Sequence, residues 1–509
     1  MRIAAVYLTS VRIELARARV DGKESAGRDR ASLAPLAVVI ARPGGVVKDE
    51  RSLLGNTRLD EVSAEAAVCR IRPGDTIASA RAKCAGLFVR VVAEESVRGV
   101  LRAVAEAGLS FGRTASIDEA RDVVCLDVTG CSHLFGGEEA LVRGLAERLR
   151  GMHLGPVRVA IADGPRVAAA MAQALRKRET FVVPPGRNAE TIRALPITAL
   201  PIDLRSIAWL RTLGLVKIGD LQRLPARGLA TRLGAVHAEV MSLLAGDDGA
   251  PLDPYVPPEV PEERSELEYG IDKTEALLFV VKMLCDRLAA RLAGRAMATV
   301  RLEIVLSLDK AVARESSLSG RESLSITVPA PLSSAAELLA VARARVESWT
   351  IPASILAVTL RATELARKET RALDLFEAEP KAERTLPRLV AELSADLGEA
   401  NVGTLAIVST WIPEERTVLV PFGAKREAEG PPAPTTSRVA EPSRILRTPL
   451  PPHDLERVHL LARIEMVAWW RLGEFVRDYV AAWNAHDERM AWVEIERKSG
   501  EARVKGWMD

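Results

Sequence analysis

The clearest hydrophobic pattern begins with residues 123–128, which are apolar except for one aspartate and have the length of a buried strand. Residues 138–150 carry apolar side chains at helical spacing, with acids in the first turn, where the helix dipole favours negative charge. A second apolar run follows at 157–162. The pattern predicts a strand, a helix and a strand in a mixed α/β layer, with the first strand at its centre.

Other stretches extend this picture along the chain. Residues 3–8 predict another buried strand, and residues 195–246 predict two or three short helices. Residues 273–361 read as a helix, two strands, a helix and a strand, an αββαβ order. Alternating apolar and polar positions between 490 and 507 predict a small β-rich module at the end of the chain.

Composition narrows the class of protein. At 509 residues, 48% hydrophobic and 27% charged, the chain is ordinary for a soluble protein of three or four domains. Lys plus Arg number 70 and Asp plus Glu 68, so any contact with nucleic acid must come from local patches. The five scattered cysteines favour a reducing cytoplasm, and no apolar run of about 18 residues predicts a membrane span.

Residues 122–137 read Asp-Val-Val-Cys-Leu-Asp-Val-Thr-Gly-Cys-Ser-His-Leu-Phe-Gly-Gly. This stretch resembles the active strand of the palm in Y-family (translesion) DNA polymerases, and is most similar to the ImuB-like, catalytically inactive branch. The resemblance implies an α/β multidomain fold with palm and fingers, a helical helix-hairpin-helix thumb, an α+β little finger and a small β-rich C-terminal module. The expected domains are a palm (1–14 and 88–185), fingers (15–87), a thumb (186–246), a linker (247–265), a little finger (266–365), a region with a docking peptide and a following helix and strand (366–423), a disordered tether (424–452) and a C-terminal partner-binding module (453–509).

Nucleotidyl transfer in this family needs two magnesium ions held by three carboxylates. The resemblance places Tyr7 and Thr9 at acidic positions of the first palm strand, and Arg12 where an aromatic ring screens against ribonucleotides. It places Asp122 on the catalytic aspartate and Val123 on the adjacent glutamate. Only one of three carboxylates remains, so the resemblance implies an inactive palm that needs no cofactor.

A second expected loss concerns the triphosphate of the incoming nucleotide. The fingers of the family carry a pattern like Ser-Tyr-Glu-Ala-Arg, whose tyrosine and arginine handle phosphate. The aligned positions are Ala64 and Ala67. Because both losses affect the same substrate, they support each other.

An alternative register would leave an active enzyme. Residues 116–120, Ser-Ile-Asp-Glu-Ala, are spelled like the family's catalytic motif, four residues upstream. If residues 121–124 formed a bulge, Asp118 and Glu119 would occupy the metal site. The chain would then be a magnesium-dependent translesion DNA polymerase.

Two further sites follow from the resemblance. The first is a pentapeptide that resembles the Gln-Leu-x-Leu-Phe peptide by which bacterial proteins dock on the β sliding clamp. It consists of Ala372, Leu373, Asp374, Leu375 and Phe376, with alanine in place of the glutamine. The two hydrophobic residues at its end would fill a pocket on the clamp.

The second site that follows from the resemblance is a DNA-binding hairpin in the expected thumb. Gly214, Lys217 and Gly219 lie in a hairpin that is expected to bind DNA through backbone N–H groups.

The resemblance implies that the chain is a non-catalytic adaptor. It would act in damage-induced translesion synthesis and in the mutagenesis that belongs to the SOS response. Its expected partners are DNA, the β sliding clamp, an ImuA-type protein and an error-prone C-family DNA polymerase, in the cytoplasm and without a membrane. A third reading is a DNA-binding hairpin protein unrelated to replication, which would not bind the clamp.

Overall fold

A computed structural model describes residues 1–20, 34–45, 47, 49–176, 178–309, 320–351, 353–368, 386, 389–390, 393–394, 397–407, 412, 416–422, 442–465 and 476–508. The chain folds into two compact units, Met1–Ala391 and Glu392–Asp509.

The first unit is built on a five-stranded sheet whose middle strand is β1. Its strands are β1 (Arg2–Leu8), β5 (Ala115–Asp118), β6 (Val123–Asp127), β7 (Val157–Asp163) and β8 (Thr180–Val182), in the order β5-β6-β1-β7-β8. Strand β1 runs antiparallel to both of its neighbours. Strand β6 is buried between β5 and β1, as expected for the run at 123–128, but the middle position of the sheet belongs to β1. A local hydrophobic run shows that a strand is buried on both faces, but it does not show which strand of the sheet is the middle one.

Helices cover both faces of this sheet, which explains why the central parts of β1, β6 and β7 are mostly apolar. Helices α4 (Glu94–Gly108) and α5 (Glu138–Gly151) pack on the face that carries Val6 and Leu8. Helix α6 (Pro165–Ala174) packs on the face that carries Ile3 and Ala5. The end of β1 therefore emerges from a rigid layer, where side chains can be held in fixed positions.

A smaller sheet lies between β1 and α4 in the sequence. Its strands are β2 (Leu36–Ala41), β3 (Glu61–Val62) and β4 (Phe88–Ala93), with helices α1 (Val11–Val20), α2 (Ala64–Val68) and α3 (Ile77–Lys83). Strand β4 pairs in parallel with β2, so residues 88–93 belong to this sheet rather than to the larger one. The boundary expected at residue 88 is therefore displaced.

Five short helices follow the large sheet, and four of them lie within residues 195–246, where two or three were expected. They are α7 (Asn188–Ile192), α8 (Leu204–Thr212), α9 (Ile218–Leu221), α10 (Ala226–Leu233) and α11 (His237–Ala245). The carboxylate of Asp203 caps α8 by accepting from the Ser206 N–H at 2.8 Å. Helices of four or five residues carry too little periodicity to be recognised from sequence.

A four-stranded antiparallel sheet ends the first unit. Its elements are β9 (Glu262–Ile271), α12 (Thr274–Gly294), β10 (Met297–Leu308), β11 (Arg321–Leu332), α13 (Ala335–Glu347) and β12 (Ile355–Arg367), with the strand order β11-β10-β12-β9. The expected αββαβ order lacked β9, and the expected linker at 247–265 ends before Glu262. Strand β9 was missed because it begins with charged residues, as solvent-facing edge strands commonly do.

The second unit holds the hairpin β13 (Gly403–Ile407) and β14 (Thr417–Pro421) and a five-stranded sheet. The sheet consists of β15 (Arg444–Leu450), β16 (Leu455–Glu465), β17 (Val476–Asn484), β18 (Arg489–Glu496) and β19 (Ala502–Met508), in the order β15-β19-β18-β17-β16. Because β15 pairs with β19, residues 444–450 are not part of a disordered tether, as the expected range 424–452 implied. The core includes Tyr479 and Trp492, whose rings stack with centroids 4.8 Å apart.

The side chain of Trp492 is fully buried in this sheet, so truncating it should destabilise the second unit. We expect Trp492→Ala to lower the free energy of unfolding of this sheet by about 3–5 kcal/mol. Hydrogen exchange of the amides of β17 and β18 measures this loss. Trp507, which is only partly buried, supplies the control, and a larger effect of Trp507→Ala would contradict the assignment of the core.

Candidate functional site

The candidate site lies at the C-terminal end of β1, where three strands bring polar side chains together. Tyr7 lies between Val123 on β6 and Arg158 on β7 in the strand register. The next N–H group along β1, that of Leu8, donates to the carbonyl of Asp122 at 3.3 Å. The structure therefore brings together the degenerate positions of the sequence alignment: Tyr7, Thr9, Asp122 and Val123.

The carboxylate of Asp122 is bound by a guanidinium group. Arg12, at the start of α1, donates from Nη1 to Oδ2 at 2.5 Å and from Nη2 to Oδ1 at 2.9 Å. A bidentate pair of this kind is among the stronger hydrogen-bonded contacts in proteins. Asp122 also has a φ of 54°, in the left-handed region that disfavours residues with a side chain, so the contact fixes a strained turn.

A second carboxylate, Glu61 on β3, faces the same guanidinium. Its Oε2 lies 3.8 Å from Nη1 of Arg12. Burial raises the pKa of Glu61, Arg12 offsets part of this rise, and the charge of Asp122 adds to it. Sequence reasoning missed Glu61, because a two-residue strand carries no pattern that would place it beside Arg12.

Tyr7 does not replace a metal-binding carboxylate. Burial raises the pKa of its phenol above the ordinary value, and the charges of Asp122 and Glu61 raise it further. The phenol therefore stays neutral at neutral pH. The hydroxyl of Thr9 is buried without a hydrogen-bond partner among the described residues.

The alternative acids lie one strand further from the site. Asp118 ends β5, which pairs with β6 and is separated from β1 by it. Glu119 pairs with Arg98 of α4 at 2.9 Å. Strand β6 pairs with β1 without a register shift, so the bulge that would carry Asp118 and Glu119 to the end of β1 is absent from this pairing.

The expected phosphate-handling positions offer no donor side chain. Ala64 and Ala67 lie on α2, and both are exposed to solvent. Helix α2 is capped by Ser63, whose Oγ accepts from the Ala66 N–H at 3.2 Å. The exposed methyl groups of this helix can neither neutralise nor hydrogen-bond a phosphate.

The expected DNA-binding hairpin uses its backbone donors internally. The N–H groups of Gly214 and Gly219 donate to backbone carbonyls, each at 3.0 Å. The N–H of Lys217 donates to the carboxylate of Asp220 at 2.9 Å. A phosphate contact through these N–H groups would have to replace an internal acceptor, whereas the side chain of Lys217 is exposed to solvent.

Residues 372–376, the expected clamp-docking peptide, lie outside the described residues.

The side chains at the end of β1 do not fit a pair of magnesium ions. Magnesium prefers carboxylate oxygens, and the two carboxylates nearby share one guanidinium. Over the described part of the chain, no three His, Cys, Asp or Glu side chains are grouped so that they could hold a metal ion. The arrangement is that of a partly buried ion pair.

Two protein-family models match the chain. The impB/mucB/samB family model matches residues 28–173, and the model of the C-terminal domain of the same family matches residues 263–375. Together they cover just over half of the chain. The chain belongs to the impB/mucB/samB family. It is a homologue of the Y-family polymerases, so the resemblance noted at residues 122–137 is confirmed.

Relatives of known name agree with this family. Protein ImuB of Caulobacter vibrioides is 35% identical over 162 residues, which are 32% of this chain and 34% of that protein. DNA polymerase IV 2 of Mesorhizobium japonicum is 26% identical over 231 residues, 45% of this chain and 52% of the polymerase. The chain therefore spans about a third to a half of the length of these relatives.

Solved structures with a similar chain path include a Dbh ternary complex and DinB from Sulfolobus solfataricus. Each is 13% identical, has a TM-score of 0.39 and covers 72% of this chain, with 99% and 100% of the other chain covered.

Among the helices that the structure describes, none has the length and apolar character needed to cross a membrane.

The raised pKa of Glu61 makes the stability of the site depend on pH. The folded chain binds a proton at Glu61 more readily than the unfolded chain does, so this carboxyl contributes stability below its ordinary pKa. That contribution is lost as pH rises through the raised pKa. Because a glutamine does not titrate, we expect the melting temperature of Glu61→Gln, relative to wild type, to rise as pH increases above the ordinary glutamate pKa of about 4.3.

Thermal unfolding at several pH values, followed by circular dichroism, measures this difference. Glu179→Gln removes a carboxylate whose ion pair with Arg150 is largely exposed, and serves as the control. A relative melting temperature that falls with pH in Glu61→Gln would contradict the prediction.

Proposed function

We propose that the chain is a non-catalytic member of its family that acts as an adaptor in damage-induced translesion synthesis and mutagenesis. It binds primer–template DNA, docks on the β sliding clamp and delivers another polymerase to damaged DNA. The single observation that carries the loss of catalysis is the bidentate ion pair of Arg12 with Asp122.

This ion pair supports the proposal because it uses the one carboxylate that the alignment leaves. A divalent cation would have to displace a guanidinium that already neutralises both oxygens of Asp122. The neighbouring Tyr7 and Thr9 supply no negative charge at neutral pH. The reaction requires both metal binding and triphosphate binding. The side chains at the end of β1 do not support the first, and those of α2 do not support the second.

The partners of the proposed adaptor follow from its family. An ImuA-type protein and an error-prone C-family polymerase are proposed to bind the module at residues 453–509. The β sliding clamp is proposed to bind residues 372–376, and DNA to lie against the first unit. The proposed compartment is the cytoplasm.

Primer extension tests the absence of catalysis. With purified full-length chain, primer–template DNA, deoxynucleotides and magnesium, we expect no incorporation above that of Asp122→Asn. An added active polymerase shows that the template can be copied. Robust incorporation that Asp118→Asn, Glu119→Gln or Asp122→Asn abolishes would instead establish the alternative, a magnesium-dependent translesion polymerase.

A variant in which the acidic metal-binding positions are restored supplies the matched control. Tyr7→Asp and Val123→Glu together with Arg12→Ala add two carboxylates beside those of Asp122 and Glu61 and remove the guanidinium that these two share. We expect this triple variant to bind Mn²⁺ at least tenfold more tightly than wild type in electron paramagnetic resonance titrations, since oxygen anions are the preferred ligands. The double variant Tyr7→Asp with Val123→Glu, which retains Arg12, should show a smaller gain in Mn²⁺ affinity.

Clamp docking is tested on residues 372–376. We expect Leu375→Ala with Phe376→Ala to abolish capture of the chain by immobilised β clamp, because these side chains would fill its pocket. Ala372→Gln should strengthen binding by roughly two- to tenfold, the value of one added hydrogen bond. Glu379→Gln, outside the peptide, is the control. Capture that survives the double substitution would favour a clamp-independent DNA-binding protein.

A further inference from the structure

Three arginines at spacing i, i+4 and i+8 follow one face of α12 and the residue that caps its C-terminal end. They are Arg287, Arg291 and Arg295. Arg287 and Arg291 are 8% and 5% exposed, and the side chain of Arg295 is 9% exposed. Arginines are rarely buried to this extent unless each is paired. Helix α12 belongs to the C-terminal family domain, but this face packs against α4 of the N-terminal family domain.

The partner on α4 is Glu106, whose side chain is fully buried. Its two oxygens accept from Nε and Nη2 of Arg291, both at 2.8 Å, and from Nε and Nη2 of Arg295, at 3.0 and 2.7 Å. They also accept from the hydroxyl of Tyr255 at 2.8 Å. Burial alone would raise the pKa of Glu106, but the two arginines outweigh it and lower this pKa, so the carboxylate stays ionised.

The arginines also reach three other parts of the chain. Arg291 Nη1 donates to Oε1 of Glu263 on β9 at 2.8 Å. Arg295 Nη1 donates to the carbonyl of Pro258 at 2.6 Å, in the segment that joins the two domains. Arg287 donates to the carbonyls of residues 152 and 153, at 2.9 and 3.1 Å, just after α5. The cluster thus joins both family domains and the segment between them.

The two helices also meet at a glycine, which is independent of the charges. A Cβ built on Gly294 of α12 would lie 1.7 Å from the carbonyl oxygen of Glu106 and 2.7 Å from its carbonyl carbon. Both atoms are backbone, so they cannot move aside as a side chain would. The close approach of α12 to α4 therefore requires glycine at this position.

We infer that Glu106 is a positioning residue that holds the C-terminal family domain at one fixed place on the N-terminal family domain. The face formed by Arg287, Arg291, Gly294 and Arg295 is a permanent interface between the two domains. Any surface that the two domains share for a partner is preformed rather than assembled by domain movement. This inference is independent of whether the chain copies DNA.

Single-molecule energy transfer on the full chain tests the fixed position. Dyes are attached through noncanonical amino acids at Arg143 of α5 and Arg343 of α13, both exposed. We expect one narrow distance distribution for wild type. Glu106→Gln and Gly294→Ala should each add a second or broadened population, because the first leaves two buried guanidinium groups short of a counter-charge and the second forces the helices apart.

Limited proteolysis with thermolysin gives a second readout of the same interface. Cleavage within residues 247–261 should become at least tenfold faster in Glu106→Gln, while circular dichroism reports intact domains. If that variant does not fold, Arg295→Lys keeps the charge, loses the forked contact and should show a smaller rise. Arg361→Gln, which breaks an ion pair with Glu262 on the exposed sheet face, is the matched control and should change neither readout.

A broad or interconverting distance distribution in wild type would overturn the inference. So would an unchanged distribution in folded Glu106→Gln or Gly294→Ala. Neither result depends on DNA synthesis or clamp binding, so failure of the inference is distinguishable from failure of the proposed function.

Discussion

The ion pair between Arg12 and Asp122 is the contact on which the interpretation of this chain depends. It occupies the end of the central strand, where the family's reaction requires free carboxylates to bind metal. The same guanidinium reaches Glu61 on the smaller sheet, so one side chain links both sheets. A charge that would attract a cation from solution is thus neutralised by a cation of the chain itself.

The two ion clusters of the first unit differ in burial. The side chains of Arg12 and Asp122 keep about a fifth of their surface exposed, whereas that of Glu106 is fully buried. A buried charge that loses one partner destabilises the fold more than a half-exposed one, because solvent cannot replace the partner. The cluster around Glu106 is therefore suited to fixing the relative position of two domains. The pair of Arg12 with Asp122 remains partly exposed to solvent.

Much of the local structure could be predicted from the sequence. Strand β1, helix α5 and the apolar strands at 123–127 and 157–163 follow from hydrophobic periodicity alone. The order of the strands could not be predicted, because β1 pairs with residues more than a hundred positions away. Strand β9 could not be predicted for a different reason, since its charged sequence resembles a loop until β12 provides a partner.

The residues of the candidate site could likewise be predicted only in part from the sequence. Comparison of short motifs was sufficient to identify Tyr7, Thr9, Asp122 and Val123 as one group. It was not sufficient to find Glu61, or to find that Arg12 turns towards Asp122. Those contacts depend on where the smaller sheet lies against the larger one, and no motif records that placement. The neutralisation of the last carboxylate is a property of the fold.

Charge pairing also extends to the exposed face of the four-stranded sheet. Arg361 lies 2.8 Å from a carboxylate oxygen of Glu262 and 3.7 Å from one of Glu303. Cations that are matched by neighbouring acids contribute little to phosphate binding, since each contact with DNA would have to displace an internal partner. The hairpin at Gly214 likewise keeps its N–H groups for internal acceptors. At Arg361 and at the hairpin N–H groups, a phosphate contact would therefore exchange an internal acceptor for an external one, so little of the charge attraction would be gained.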